Sequence, residues 1–265
     1  MALLKCPECG KGVSSFATTC PNCGFPIAEI NNYNINEFKI DGGVLKKYYG
    51  NEELVKIPFF IHSIGCEAFY DNKDVKKVVM SNQVKLIGNR AFAGCDNLQS
   101  IELPNSITNI HEFAFSCCNN LTQIVIPNSV KEIQEFAFYA CKSLKKVIFE
   151  KGSHLESLET NVFCTCENLI DVVMPDSVKI IKMGALAQCK SLKEIVVPNG
   201  TKTICKGSFY YSDGLLYVYL PNSISYMEEI NGLGIFEGCP KVTVLTNNPY
   251  VINYCNKNNI SYKNN

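Results

Sequence analysis

Leu98-Gln-Ser-Ile101-Glu-Leu103-Pro104-Asn105-Ser-Ile107-Thr-Asn-Ile110-His-Glu-Phe-Ala114-Phe115-Ser-Cys-Cys118-Asn-Asn restarts at Leu121, where Ile124, Ile126 and Pro127 take the places of Ile101, Leu103 and Pro104. The unit is 23 residues long. A fixed period of this size marks a solenoid, in which each unit buries its apolar face only against its neighbours. The register can be followed outward in both directions. Phe69, Phe92, Phe115, Phe138, Phe163, Leu186, Phe209 and Phe236 hold one place, with steps of 23, 23, 23, 25, 23, 23 and 27 residues. Three positions further on stand Asn72, Cys95, Cys118, Cys141, Cys166, Cys189, Ser212 and Cys239. About eight units result, spanning residues 57–245, the last of them imperfect.

Each unit has a physical reading. Leu-x-x-Ile-x-Ile-Pro alternates with period two and so forms a short strand. Proline ends it at Pro104, Pro127, Pro175, Pro198 and Pro221, because it offers no further donor. Asn-Ser-Ile or Asn-Ser-Val then turns the chain and returns apolar residues to the core. A short helical or irregular turn carries Ala-Phe. The strands are expected to stack in parallel at about 4.8 Å, with phenylalanine and cysteine in internal columns. Buried free cysteine behaves as a small hydrophobe, so the cysteine column reads as core. Cys66, Cys117, Cys164 and Cys205 fall outside it and have no assigned role. Two units are longer, at Gly152–Leu158 and at Tyr226–Gly234, and are expected to bulge.

In front of the repeats, residues 1–28 carry Cys6-Pro-Glu-Cys9 and Cys20-Pro-Asn-Cys23, each followed by glycine, Gly10 and Gly24. Two C-x-x-C turns on short hairpins supply four soft ligands to one tetrahedral Zn²⁺, with no open coordination position, so the ion is structural. A module this short has almost no core, and metal binding is expected to supply its folding energy. Residues 29–37 read as a polar linker. Residues 38–56 read as an N-terminal cap hairpin around Asp41-Gly42-Gly43, since Asp-Gly between apolar residues is a hairpin signal. Residues 246–265 read as a C-terminal cap: a helix opening near Pro249, a last strand at Ile260–Tyr262, and a fraying tail from Lys263.

These residues carry two resemblances. The 23-residue unit, over roughly residues 38–262, resembles the BspA-type leucine-rich repeat. The front module, through Cys6-Pro7, Cys9-Gly10, Cys20-Pro21, Cys23-Gly24 and Pro26-Ile27, resembles the short N-terminal zinc ribbons of bacterial proteins. The resemblance implies a leucine-rich repeat solenoid of short parallel strands preceded by a four-cysteine zinc ribbon. Repeats of this family are common in bacterial or protist surface proteins implicated in adhesion.

Composition narrows the function. The 265 residues carry 25 basic and 25 acidic side chains, so no overall field draws a polyanion. No apolar run approaches the length of a membrane span. The N-terminus, Met1-Ala-Leu-Leu-Lys5-Cys6, lacks the basic start and long apolar region of a signal peptide. With the thiols read as reduced, this gives a cytoplasmic expectation and sets a surface adhesin third, behind a nucleic-acid-associated factor that would contact DNA or RNA through the ribbon. Up to residue 28 the ribbon has Lys5, Lys11 and Glu8 and few aromatics, a poor footprint for DNA or RNA. The histidines, His62, His111 and His154, lie in three different units, and no catalytic motif accompanies them, so enzymatic activity is not expected. What remains is a protein-binding scaffold, with the ribbon as a second contact module. Strand positions two before each proline, or its equivalent, face outward on the concave sheet. They include Val125, Ile148, Val173, Val196 and Tyr219, with Tyr217 beside them. An exposed apolar stripe ending in tyrosines marks a candidate protein-binding surface.

Overall fold

A computed structural model describes residues 3–229 and 234–265. The units wind into a parallel-strand β-solenoid of about nine turns. The Leu-x-x-Ile-x-Ile segments form one ladder of rungs: Leu54–Lys56, Lys77–Val79, Ser100–Glu102, Gln123–Ile126, Lys146–Phe149, Asp171–Val173, Glu194–Val196, Tyr217–Tyr219, Thr243–Leu245 and Ser261–Lys263. They pair in register, one unit against the next, so that Val125 lies beside Ile148 and Ile148 beside Val173. The hydrogen-bonded pairing comes in three runs, broken between Glu102 and Gln123 and between Val173 and Glu194. Leu54–Lys56, grouped by sequence with the cap hairpin, is already the first rung and pairs with Lys77–Val79.

A second ladder runs beside the first, at positions the sequence marks only by one recurring apolar residue per unit. After the turn that follows each long rung up to Tyr217–Tyr219 the chain makes a two-residue strand: Ser63–Ile64, Leu86–Ile87, Asn109–Ile110, Glu132–Ile133, Ser157–Leu158, Ile180–Ile181, Thr203–Ile204 and Tyr226–Met227. Two residues are too few to show alternation in a sequence, yet the inward member of each is buried. This ladder is interrupted between Ile133 and Ser157, where the unit is two residues longer. The other long segment, 226–234, lies partly outside the described residues.

Between the short rung and the next long rung the turn takes the irregular form rather than the helical one. Its hydrogen bonds explain why. Phe69, Phe92 and Phe115 donate their N–H groups to Ala91, Ala114 and Ala137 of the next coil, at 2.7–2.8 Å. The intervening amides close local turns, as Tyr70 does to Glu67 at 3.1 Å. Main-chain groups that bond sideways cannot also build a helix along the chain. Two residues before the markers Phe69 to Phe209 and two after each marker the backbone is left-handed, as at Glu67, Arg90, Phe113 and Phe136 and at Asp71, Gly94, Cys117 and Ala140. A side chain there costs about 1 kcal/mol or more, which the inter-coil bonds offset. Cys117 belongs to this backbone column, which explains why it adjoins Cys118 without sharing its role.

The core is a set of columns. Tyr48 begins the aromatic one, 5.0 Å from Phe69, and the rings of Phe69, Phe92, Phe115, Phe138 and Phe163 continue it at 4.8–5.4 Å, nearly parallel. Leu186 interrupts the stack, and Phe209 and Phe236 resume it at 5.4 Å. Each ring pair adds about 0.5–1.5 kcal/mol to its area burial. The cysteine column does more than fill space. Cys95, Cys118, Cys141, Cys166, Cys189 and Cys239 each donate from Sγ to the carbonyl of the marker residue one coil back, at 3.0–3.4 Å. Ser212 makes the same bond, from Oγ to Leu186 at 2.8 Å. Burial pushes the Cys95 thiol up to about 12 and the Cys239 thiol up to about 11, so the donor proton stays in place at neutral pH.

The ends differ in construction. Phe38–Asp41 and Val44–Tyr48 form the expected antiparallel hairpin, turning through Gly42 and Gly43, both at positive φ. Val44–Tyr48 also opens the short-strand ladder against Ser63–Ile64. At the other end Pro249–Lys257 is a helix, capped by Asn248, whose side chain accepts from the Tyr250 amide at 2.9 Å. The tail is tied rather than frayed: Ser261–Lys263 is the last long rung, and Asn247 donates to the Asn265 carbonyl at 2.6 Å.

Candidate metal centre and ladder face

The four front cysteines converge. Cys6 N donates to Lys11 O at 2.8 Å and Gly10 N to Cys6 O at 2.8 Å. The second knuckle repeats this, with Cys20 N to Phe25 O at 2.7 Å and Gly24 N to Cys20 O at 2.8 Å. Gly10 and Gly24 have φ of +71° and +77° and open space around a hypothetical Cβ, so glycine is needed there for backbone conformation alone. Only the first knuckle stands on a hairpin, Leu3–Lys5 against Gly12–Ser14. The second runs instead into a 3-10 helix, Ile27–Asn32, which places Ile27 and Ile30 in the interior. A further 3-10 turn comes at Ile35–Glu37, so the segment read as linker is folded chain.

Cys6 Sγ lies 3.6 Å from Cys23 Sγ, Cys9 Sγ lies 3.7 Å from Cys20 Sγ, and all four sulfurs fall within 4.8 Å of one another. Zn–S bonds of about 2.3 Å put tetrahedral corners about 3.8 Å apart. The donor set and its spacing therefore fit one four-coordinate soft ion, with every position filled by protein. The Lys11 amide holds the Cys9 thiol down to about 6. At Cys23 the Phe25 amide acts the same way, but burial and the other three sulfurs push that thiol up to about 12. Four sulfurs this close cannot all carry charge without a cation among them.

On the long-rung ladder, Val125, Ile148 and Val173 are paired in one row, and Val196 is paired with Tyr219 in its continuation. Tyr217 lies in the neighbouring row, between Glu194 and Thr243. Val173 and Val196 are 68% and 61% exposed; Val125 and Tyr217 are exposed to a smaller degree, and Ile148 and Tyr219 are half-buried. Tyr210 and Tyr211 adjoin Phe209 in the irregular turn and are not on these rungs. One apolar residue of this face escaped the sequence reading. Ile170 is 57% exposed and lines, with Val173, Met174, Val196 and Pro198, a groove of about 320 Å³ where the ladder pairing is broken. Its signal was present, since flanking units carry Lys145 and Lys193 at the same place. Charges on the face are paired across coils, Lys77 with Glu102 at 2.9 Å and Lys146 with Asp171 at 2.8 Å.

Burial raises Cys117, Cys164 and Cys205, which keeps them protonated and unreactive. Among the described residues no helix is long and apolar enough to cross a membrane.

Comparison with known proteins accords with this architecture. Residues 62–157 and 108–243 match the family described as BspA type leucine rich repeat region, in six copies. A leucine-rich repeat protein of T. pallidum is similar in structure, with a TM-score of 0.56 and 27% identity, over 83% of this chain and 89% of that one. A leucine-rich repeat protein of Bacteroides ovatus shares the fold at a TM-score of 0.53 and 24% identity, over 76% of this chain. The chain spans 58% of the length of that protein. Comparison with curated proteins gives no match.

Proposed function

The chain belongs to the BspA-type leucine-rich repeat family, and from that premise we propose a non-enzymatic scaffold that binds a protein partner on its long-rung face. Val125, Ile148, Val173, Val196, Tyr217 and Tyr219 are the contact residues of this reading, and the four-cysteine module holds one structural Zn²⁺ as a second interaction element. The observation that carries the reading is the exposure of Val173 and Val196 on successive rungs, on either side of the break in the ladder pairing. Strand propensity alone accounts for β-branched residues at such places; it does not account for Ile170 beside them or for the open groove between their rungs. Rows of aligned side chains on a constant core are how solenoids present extended binding surfaces. A reducing, cytoplasmic setting suits the thiol column, whose members act as donors only while they remain thiols.

The test compares the intact protein with Val173→Asp/Val196→Asp in capture from native lysate, then in affinity measurement with the purified partner. The reading expects a partner bound by the intact chain and at least about tenfold weaker on the variant, the effect of losing about 1.4 kcal/mol, with an unchanged melting temperature. Equal binding by both proteins would remove the face from the account.

A further inference from the structure

The two knuckles are equivalent in hydrogen bonding, but the residue after each glycine differs. After Cys9-Gly10 comes Lys11, exposed, with its Nζ on Asn22 at 2.7 Å. After Cys23-Gly24 comes Phe25, which is buried. Its ring stacks on Phe59 at 5.7 Å and meets Phe60 edge-on at 5.1 Å; Tyr33 reaches Phe59 from the 3-10 segment at 6.5 Å. Phe59 and Phe60 meet each other edge-on at 5.3 Å. The second knuckle therefore ends on the first coil of the solenoid.

The first coil is itself altered at this point. Counting from Pro58, Phe59-Phe60 stand where later units carry Asn105-Ser106, Asn128-Ser129 and Asn222-Ser223. Those serines donate to the coil before them: Ser106 to Val84 O at 2.6 Å, Ser129 to Ile107 O at 2.8 Å and Ser223 to Thr201 O at 2.6 Å. The first coil has no coil before it, so a serine hydroxyl there would find no such carbonyl. Two phenylalanines replace the polar pair, and such a pair is stable at a solenoid end only when something apolar covers it. Phe25 provides that cover. Its position is set by the Cys20 N–Phe25 O bond and by Gly24, both inside the knuckle that the metal closes.

We propose that the four-cysteine module is a metal-dependent cap: its loading state decides whether the aromatic end of the first coil, Phe59–Phe60, is covered by Phe25 or open to solvent. The proposal rests on the reading that the module binds an ion. It joins two elements that the sequence presents as separate and makes the solenoid's N-terminal end responsive to zinc. With the ion removed, the Cys20–Cys23 turn loses the constraint that ties its thiolates to the first knuckle, since small metal modules fold through their metal, and Phe25 leaves its place. The coils from Val78 onward keep their own ladders.

The experiment uses the full chain in three forms: loaded with zinc, stripped by a chelator, and Phe25→Ala loaded with zinc. Zinc per chain, binding of a hydrophobic dye, and protease cleavage within residues 54–64 are measured on each. The expected result is one zinc per chain in both loaded proteins. Dye binding and cleavage should be low for the loaded wild type and several-fold higher for both the stripped protein and the loaded variant. A loaded variant as protected as the wild type would overturn the capping role while leaving the metal reading intact, and so would a stripped protein with unchanged cleavage in residues 54–64. A chain that takes up no zinc would end both readings.

Discussion

The front module and the solenoid hold their shape in opposite ways. In residues 3–26 four sulfurs meet at one point, beside one short hairpin and the burial of Val13 and Phe25. In the solenoid no point matters in this way. Most coils repeat the same ring stack, thiol bond and amide ladder, so that stability is spread along the axis. Concentrated stabilisation can be switched off by removing one atom, whereas distributed stabilisation declines in steps. Phe25 is where the two regimes meet.

The largest effect is expected at the concentrated end. Cys20→Ser should abolish stoichiometric zinc binding and unfold the module, because structural zinc supplies on the order of 10 kcal/mol to such folds. Metal content and amide exchange over residues 3–26 would show it, and a folded, zinc-loaded variant would break the contrast. In the solenoid, Phe115→Ala should cost about 3–5 kcal/mol, read by denaturant unfolding. Phe138→Leu should cost about 1 kcal/mol, as a near-conservative swap, because Leu186 already stands in the same column. Cys118→Ala should cost about 1–2 kcal/mol through the lost bond to Phe92 O and a small cavity, and Cys118→Ser less, since Ser212 shows that a hydroxyl makes the same bond. If serine and alanine destabilise equally, the column is packing alone. The smallest effect sharpens the view of the turn: Cys117→Gly should raise stability by about 0.5–1 kcal/mol, by relieving a left-handed φ of +58°.

pH gives a further, modest check. The Lys73 ammonium, bonded at 2.6 Å, and the Asn119 amide lower the Asp96 carboxyl below its ordinary value. A depressed carboxyl stabilises the fold above its unfolded pKa, and that contribution is lost as pH falls through the folded value. Asp96→Asn should therefore flatten the acid side of the stability profile slightly. The pair is largely exposed, so the change is small.

Much of this was legible in the sequence because the repeat writes each inward position several times over. The marker phenylalanines, the prolines and the paired C-x-x-C knuckles disclosed the coil, its register and the four cysteines that converge. The two-residue rungs were hidden because Asn109–Ile110 or Ser157–Leu158 is too short for alternation to register. The left-handed columns were hidden because residues such as Glu67, Arg90 and Phe136 carry none of the glycine signal that usually marks such backbone. The role of the cysteine column was half legible. Its burial could be read from its period, but its hydrogen bond needs the carbonyl of the coil before, which no linear reading displays. The capping contact was written at Phe59-Phe60, as a departure from Asn-Ser, and it acquires meaning only beside Phe25.

Hydrogen exchange of the intact chain, resolved by segment, with and without a zinc chelator, tests the contrast most directly. Protection should disappear over residues 3–26, fall over residues 54–64, and persist in the long rungs from Lys77–Val79 to Thr243–Leu245. Loss of protection along the whole solenoid, or full retention in the first coil, would contradict an account in which a metal-held cap meets a self-supporting ladder.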